Sequence, residues 1–317
     1  MKKRIISVLL ATVFALSVIG CGTKDTKEQD AYRQYGITCM ESGKYEDAVK
    51  AFQNALGESI GHIGEKELDI CFYKAKAQVL DGKTKDALAT YDAIIKYNKD
   101  ARAYYLRGDL YMDMGEEKKG KADFESAVQH GKKNYEIYIG IYESLSRHEK
   151  KDEGQKYLSA AMEIKGDKPE DELYKGRISY LLGENKDAIS YLEKAKEHKQ
   201  MLASYYLGLA YDANGDSDKA KKCIAEYIKS GVATSYDLYE LGMQEMQDGN
   251  YKNALTYFNS GLELEKVPNK QNLMKSAIAA YEYSGDFDSA KKMMKEYLKA
   301  YPDDEEAKHE NTFLETR

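Results

Sequence analysis

The chain has 317 residues, 32% of them charged, and a formal net charge of −6. An acidic chain without a basic stripe is a poor ligand for nucleic acid or for an anionic lipid surface, so no nucleic-acid partner is expected. Four cysteines in this length, one of them at position 21, argue against a disulfide-stapled scaffold.

In chain order the first element is "MKKRIISVLLATVFALSVIGC". Lys2, Lys3 and Arg4 form a basic start, and residues 5–19 are apolar or small. That run falls short of the ~18–20 residues needed to span a bilayer but fits the apolar stretch of a signal peptide. Leu16 to Cys21 resembles the lipobox of bacterial lipoproteins: aliphatic residues, a small residue, then Cys. The resemblance implies cleavage between Gly20 and Cys21 and a diacylglyceryl group on the Cys21 thiol. Two acyl chains anchor stably where one binds only reversibly. Gly22 is not the Asp that diverts lipoproteins to the inner membrane in two-membrane cells. Removing the signal (1–20) with its three basic residues takes the net charge from −6 to −9. Residues 21–28 then read as the acylated Cys and a short tether. The eight residues 22–29 reach at most ~26–29 Å, which keeps the next element near the membrane.

A repeat follows. The stretches "YGITCMESGKYEDAVKAFQNAL" (35–56), "LRGDLYMDMGEEKKGKADFESAV" (106–128), "YLGLAYDANGDSDKAKKCIAEYI" (206–228) and "ELGMQEMQDGNYKNALTYFNSGL" (240–262) share a layout. A Gly is followed seven residues later by a Gly, and five later by a small residue. The small residue recurs at Ala48, Ala87, Gly120, Gly154, Ala188, Ala220, Ala254 and Ala290, a period near 34. The second Gly recurs at Gly43, Gly82, Gly115, Gly183, Gly215, Gly249 and Gly285, with Glu149 in the remaining slot. This pattern resembles the tetratricopeptide repeat, two antiparallel helices, A and B, with a Gly-marked turn. The resemblance implies an all-α, right-handed superhelical solenoid of about eight helix-turn-helix repeats over 29–302. Small residues allow the close A–B crossing, and the turn Gly suits a left-handed position. Pro302 closes the last unit, and only three prolines occur in the chain. No Pro/Gly-rich linker interrupts 29–302, so the array reads as one domain.

Two places depart from the period. "GESIGHIGEKE" (57–67) lengthens the first interval, as a longer connection or a longer helix B. The fourth unit (135–164) lacks the turn Gly and carries a charged run at 147–153, so its boundaries and the local bend are open. The tail 303–317 reads as a polar capping helix over the solenoid's end.

Motifs that suggest chemistry fail in context. "AQVLDGKT" (77–84) has a loose P-loop form, but it lies across the second repeat's helix A and turn, where a P-loop needs a strand before a helix. "DANGDSDKAKKC" (212–223) places Asp212, Asn214, Asp216 and Asp218 at EF-hand spacing, yet Ser217 and Cys223 occupy the slots for the Gly and the bidentate Glu. Those acids read as helix-start carboxylates instead. Cys39, Cys71 and Cys223 sit at core-like positions. No metal site, cofactor or catalytic set is expected, and the chain does not read as an enzyme.

The 28 Tyr against no Trp stand out. Tyr111, Tyr211 and Tyr281 recur late in helix A, and Tyr45 and Tyr251 open helix B. In the tetratricopeptide family the fifth, ninth and twelfth positions of helix A line a concave groove. Carried here, these are Tyr105, Asp109 and Met112; Arg177 and Tyr180; Tyr205 and Asp212; and Tyr239, Met243 and Met246. The alternative is that they pack between neighbouring A helices. Chaperone-type repeats clamp a carboxylate with Lys and Asn at the fifth and ninth positions. Arg33 and Ile37, or Lys275 and Ala279, do not reproduce that pair. The expected function is a membrane-anchored scaffold that holds a protein or peptide partner at the outer face of the cytoplasmic membrane. The competing expectation is a lipoprotein that binds a peptide or glycan for a transporter or envelope machinery.

Overall fold

The computed structural model describes residues 26–59, 63–166 and 168–317. Cys21 and the whole signal segment lie outside the described residues. Among the described residues every regular element is an α-helix, in accord with the all-α expectation. These are α1 (Thr26–Glu41), α2 (Tyr45–Gly57), α3 (Glu65–Leu80), α4 (Thr84–Asn98), α5 (Ala101–Asp113), α6 (Glu117–His130), α7 (Tyr135–Arg147), α8 (Lys151–Met162), α9 (Pro169–Leu182), α10 (Asn185–Glu197), α11 (Leu202–Ala213), α12 (Ser217–Lys229), α13 (Ser235–Gln247), α14 (Tyr251–Leu262), α15 (Lys270–Tyr283), α16 (Phe287–Ala300) and α17 (Glu305–Leu314). None of them is long and apolar enough to cross a membrane.

The helices pair in order into eight hairpins, each with an A and a B helix, followed by α17. They group into two compact units. One holds α1–α12 and ends at Val232; the other runs Ala233–Arg317 and holds α13–α17. The division falls in the connection between α12 and α13. α1 begins at Thr26, so the last residues of the 21–28 tether are helical. α2 ends at Gly57 and α3 begins at Glu65, and residues 60–62 of the 57–67 stretch lie outside the described residues.

Every hairpin turns the same way. The seven turn glycines have φ between 70° and 85°, the left-handed region that a Cβ disfavours. The residue after each donates its N–H to the carbonyl five residues back, as from Lys44 to Cys39 at 2.8 Å and from Asp286 to Tyr281 at 2.9 Å. This is the six-to-one bond of a Schellman ending. Glu149 adopts φ 61°, and Lys150 still donates to Leu145 at 2.8 Å. The fourth hairpin therefore keeps the turn without the glycine.

The crossing of A and B is set by volume. A Cβ added to Gly36, Gly208 or Gly242 would come within 2.6, 2.4 and 2.3 Å of Phe52, Ile224 and Phe258 respectively. Phe52, Phe124 and Phe258 are fully buried on these crossings. Deleting a ring of that kind typically costs about 3–5 kcal/mol. Helix α7 differs from the other A helices in being buried on nearly all sides: Tyr135, Ile137, Tyr138, Ile139, Ile141, Tyr142 and Leu145 are all in the core. Its three tyrosines reach backbone carbonyls, Tyr135 at Ile164, Tyr138 at Lys132 and Tyr142 at Leu181. Buried hydroxyls usually find such partners. At the other end α17 seats Ala307 and Leu314 on Met274, Ile278 and Met294.

Candidate functional site

The A helices carry the residues expected in a groove. Within the first unit Tyr105, Asp109 and Arg177 join one hairpin to the next. Tyr105 of α5 lies over Gly140 of α7, where an added Cβ would be 2.5 Å from its Cζ, and tilts onto Phe124 at 6.3 Å. Burial raises its hydroxyl pKa well above the usual 10. Asp109 is 2% exposed and accepts from Arg147 of α7 at 2.5 Å. Burial pushes its carboxyl up and the Arg147 guanidinium pulls it back, with the net direction upward. Met112 is 4% exposed and packs on Gly120. Tyr205 is 9% exposed, set edge-on to Tyr206 at 5.1 Å and tilted on Tyr227 at 5.3 Å.

Asp109, Met112 and Tyr205 are thus buried in packing contacts. They offer little surface to a partner: Arg147 of the next hairpin covers Asp109, while Gly120 lies against Met112 and Tyr206 and Tyr227 against Tyr205 within their own hairpins. Tyr105 is half-buried against Gly140. The slot number gives the face of a helix but not the size of what stands opposite, and here Gly140 leaves room for a whole ring.

Arg177 of α9 acts across hairpins as well. It donates to Glu143 at 2.8 Å and to Glu136 at 3.4 Å, and its guanidinium lies 5.5 Å from the Tyr206 ring. Burial works against its charge, but Tyr206, Glu143 and Glu136 outweigh it and raise its pKa. Tyr180 is half-buried; burial, then Asp212, raises its hydroxyl pKa. Asp212 is exposed and accepts a long bond from Ser217 at 3.4 Å. In the second unit Tyr239, Met243 and Met246 are half-buried beside Phe258 and Leu273. Ser276 donates to the Met243 sulfur at 3.6 Å.

Lys76 of α3, at the ninth slot of the second repeat's helix A, is half-buried, and burial alone acts on its amine, which lowers its pKa. Arg33, Arg107, Arg147 and Arg177 on A helices each meet an acid. Lys76 has no compensating carboxylate among the described residues. Its sequence signal was only a Lys at a groove slot, without the Asn that a clamp requires.

The motif-like loops are ordinary turns. Gly82 has φ 73°, and Lys83 pairs with Asp81 at 2.7 Å. Asp216 precedes α12 and pairs with Lys219 at 2.8 Å. Among the described residues no three His, Cys, Asp or Glu side chains are grouped to hold a metal ion. Cys39, Cys71 and Cys223 are free thiols.

The first unit carries open recesses. One of about 390 Å³ is bordered by Glu193, Lys196, Leu207, Tyr211 and Cys223. Another, of about 500 Å³, is bordered by His130, Lys132 and Lys133. Both are open to solvent.

Tetratricopeptide-repeat family models match residues 101–129, 202–230 and 271–304, which fall in hairpins three, six and eight. Repeats of this kind serve as protein–protein interaction scaffolds. No curated protein sequence matches the chain. Among solved structures, a tetratricopeptide repeat protein from Parabacteroides merdae is similar at 12% identity, over 80% of this chain and 98% of that one, with a TM-score of 0.48. The Cut9–Hcn1 hetero-tetramer of the APC/C is similar at 15% identity, over 90% and 55%, with a TM-score of 0.45. The type IV pilus biogenesis factor PilW is similar at 18% identity, over 66% and 97%, with a TM-score of 0.44.

Proposed function

We propose that the chain is a lipid-anchored interaction scaffold outside the cytoplasm. Cys21 ties it to the membrane, and the A helices of its hairpins receive a protein or peptide partner. The repeat match in hairpins three, six and eight carries the binding half of this reading. The basic start, short apolar run and lipobox-like ending support the anchor. In the first unit the accessible contacts are Lys76, Tyr180 and Asp212, while Arg177 and Tyr105 hold the surface in shape. In the second unit they are Tyr239, Met243 and Met246, since Tyr and Met suit adaptable binding surfaces. A peptide- or glycan-binding lipoprotein would call for a closed, ligand-sized pocket, whereas the recesses beside Tyr211 and His130 are open to solvent.

The test has two arms. Replacing Cys21 with Ala and fractionating cells should release the protein from the membrane; a variant that stays bound and is cut at the same bond sinks the anchor. Crosslinking in intact cells should capture a protein partner. Lys76→Ala and Tyr239→Ala should each weaken that capture while leaving helical content unchanged. Capture that survives both would move the binding surface elsewhere.

A further inference from the structure

The two ends of α17 are held by opposite chemistry. At its start Asp304 accepts from the Ala307 N–H at 3.1 Å, from the Tyr297 hydroxyl at 2.5 Å and from Lys275 at 2.8 Å. Lys275 and Tyr297 hold its carboxyl well below the usual carboxylate range, so this end stays ionised and tied near neutral pH. Toward the other end, Glu310 faces Glu282 of α15. The Glu282 Oε1 atom is sealed from water, and no N–H or O–H donor among the described residues reaches it. The group within hydrogen-bonding reach is the Glu310 carboxyl. Two carboxylates repel across such a contact, but one shared proton turns it into a hydrogen bond.

No cation offsets the pair. On α15, Lys275 is committed to Asp304 and Glu306. On α16, Lys291 lies with Asp288; on α17, Lys308 pairs with Glu305. Arg317 lies over Phe313 at 4.7 Å and over Phe287 at 5.7 Å. Lys292 and Lys295 on α16 and His309 on α17 do not act on Glu282, whose one charged influence is Glu310.

We propose that Glu282 and Glu310 form a proton-controlled latch: with a shared proton they hold the second half of α17 on the eighth hairpin, and without it they let that half lift. Burial and Glu310 push the Glu282 carboxyl from its ordinary 4.5 up to about 7. The docked state thus binds a proton that the lifted state releases. Docking is strongest below about pH 4.5, weakens as pH rises toward 7 and levels off above it. Lifting uncovers the seat of Leu314, which is fully buried against the eighth hairpin. The Asp304 end is unaffected over that range, so the helix swings instead of leaving.

Amide hydrogen exchange in the full chain, corrected for intrinsic rates, reads the latch directly. Protection at residues 310–314 is expected to fall about tenfold or more between pH 5 and 8, a part of what the shift would give in a sealed site. Glu282→Gln supplies an N–H to Glu310 without titrating and should keep that protection flat. Glu310→Gln should do the same and serves if the first variant folds poorly. Constant protection in the unmodified chain overturns the latch, as does a fall that persists in the glutamine variants. A fall shared equally by α13–α16 also overturns it, since that is general unfolding.

Discussion

Hairpins three and four meet one packing demand with different parts. In α5 the crossing residue is Gly108, and Phe124 of α6 fills the space, 2.9 Å from where a Cβ would stand. In hairpin four the large residue is Tyr142 on helix A, and the closest small residue is Gly154 on α8. A Cβ there would meet the Tyr142 backbone at 3.1 and 3.2 Å. The turns differ too, Gly115 at φ 76° against Glu149 at φ 61°, yet both close with a 2.8 Å bond. A helix crossing demands complementary volume, not a given residue at a given slot, because interiors are packed to crystal-like density. Each hairpin touches mainly its neighbours, so hydrogen exchange resolved by helix reads each change locally.

The largest effect should come from the ring that hairpin four does without. Phe124→Ala is expected to cost about 3–5 kcal/mol, and Leu158→Ala in the matching place of α8 about 2–4 kcal/mol. Equal losses would mean that Phe124 and Leu158 are energetically interchangeable in their slots. Next is the tie between the two hairpins. Arg147→Met strands the buried Asp109 and should cost about 3 kcal/mol, most of it recovered in the double variant with Asp109→Leu. A double variant no better than the single one would show that the pair contributes net stability. Smaller again is Gly154→Ala, at about 1–2 kcal/mol, because the nearest atoms include backbone that cannot turn aside. Smallest is the turn: Glu149→Gly should gain about 0.5–1 kcal/mol, while Gly115→Ala should lose about 1 kcal/mol. A loss on Glu149→Gly would mean that the glutamate makes a contact the backbone does not account for.

The period near 34 made the turns readable, including the slot where Glu149 stands, because a left-handed position leaves its mark as a glycine. Its conformation was not readable there, since a glutamate carries no such mark. Gly154 was visible as the small residue of helix B, but Tyr142 opposite it looked like any core tyrosine. The groove was the least legible part. Helical spacing shows that Asp109 and Tyr205 share a face. It does not show that Arg147 and Tyr206 stand against them, because those residues come from another helix or from the adjacent slot. The uncompensated charge of Lys76 became visible only once every neighbouring acid had been placed.

The burial of α7 has a kinetic consequence. Each turn closes a loop of only six residues, and hairpins of local contacts form quickly because little chain entropy is lost in closing them. Such an array can begin folding at any hairpin and grow outward. Helix α7 is the exception, since its apolar sides are covered from α5 on one flank and α9 on the other, through Tyr105 over Gly140 and Tyr135 stacked on Tyr174 at 5.1 Å. Until both flanks exist, α7 is covered by α8 alone and leaves apolar surface in water. It is therefore the point where two independently started halves of the first unit must meet, and the segment most exposed to aggregation while they do.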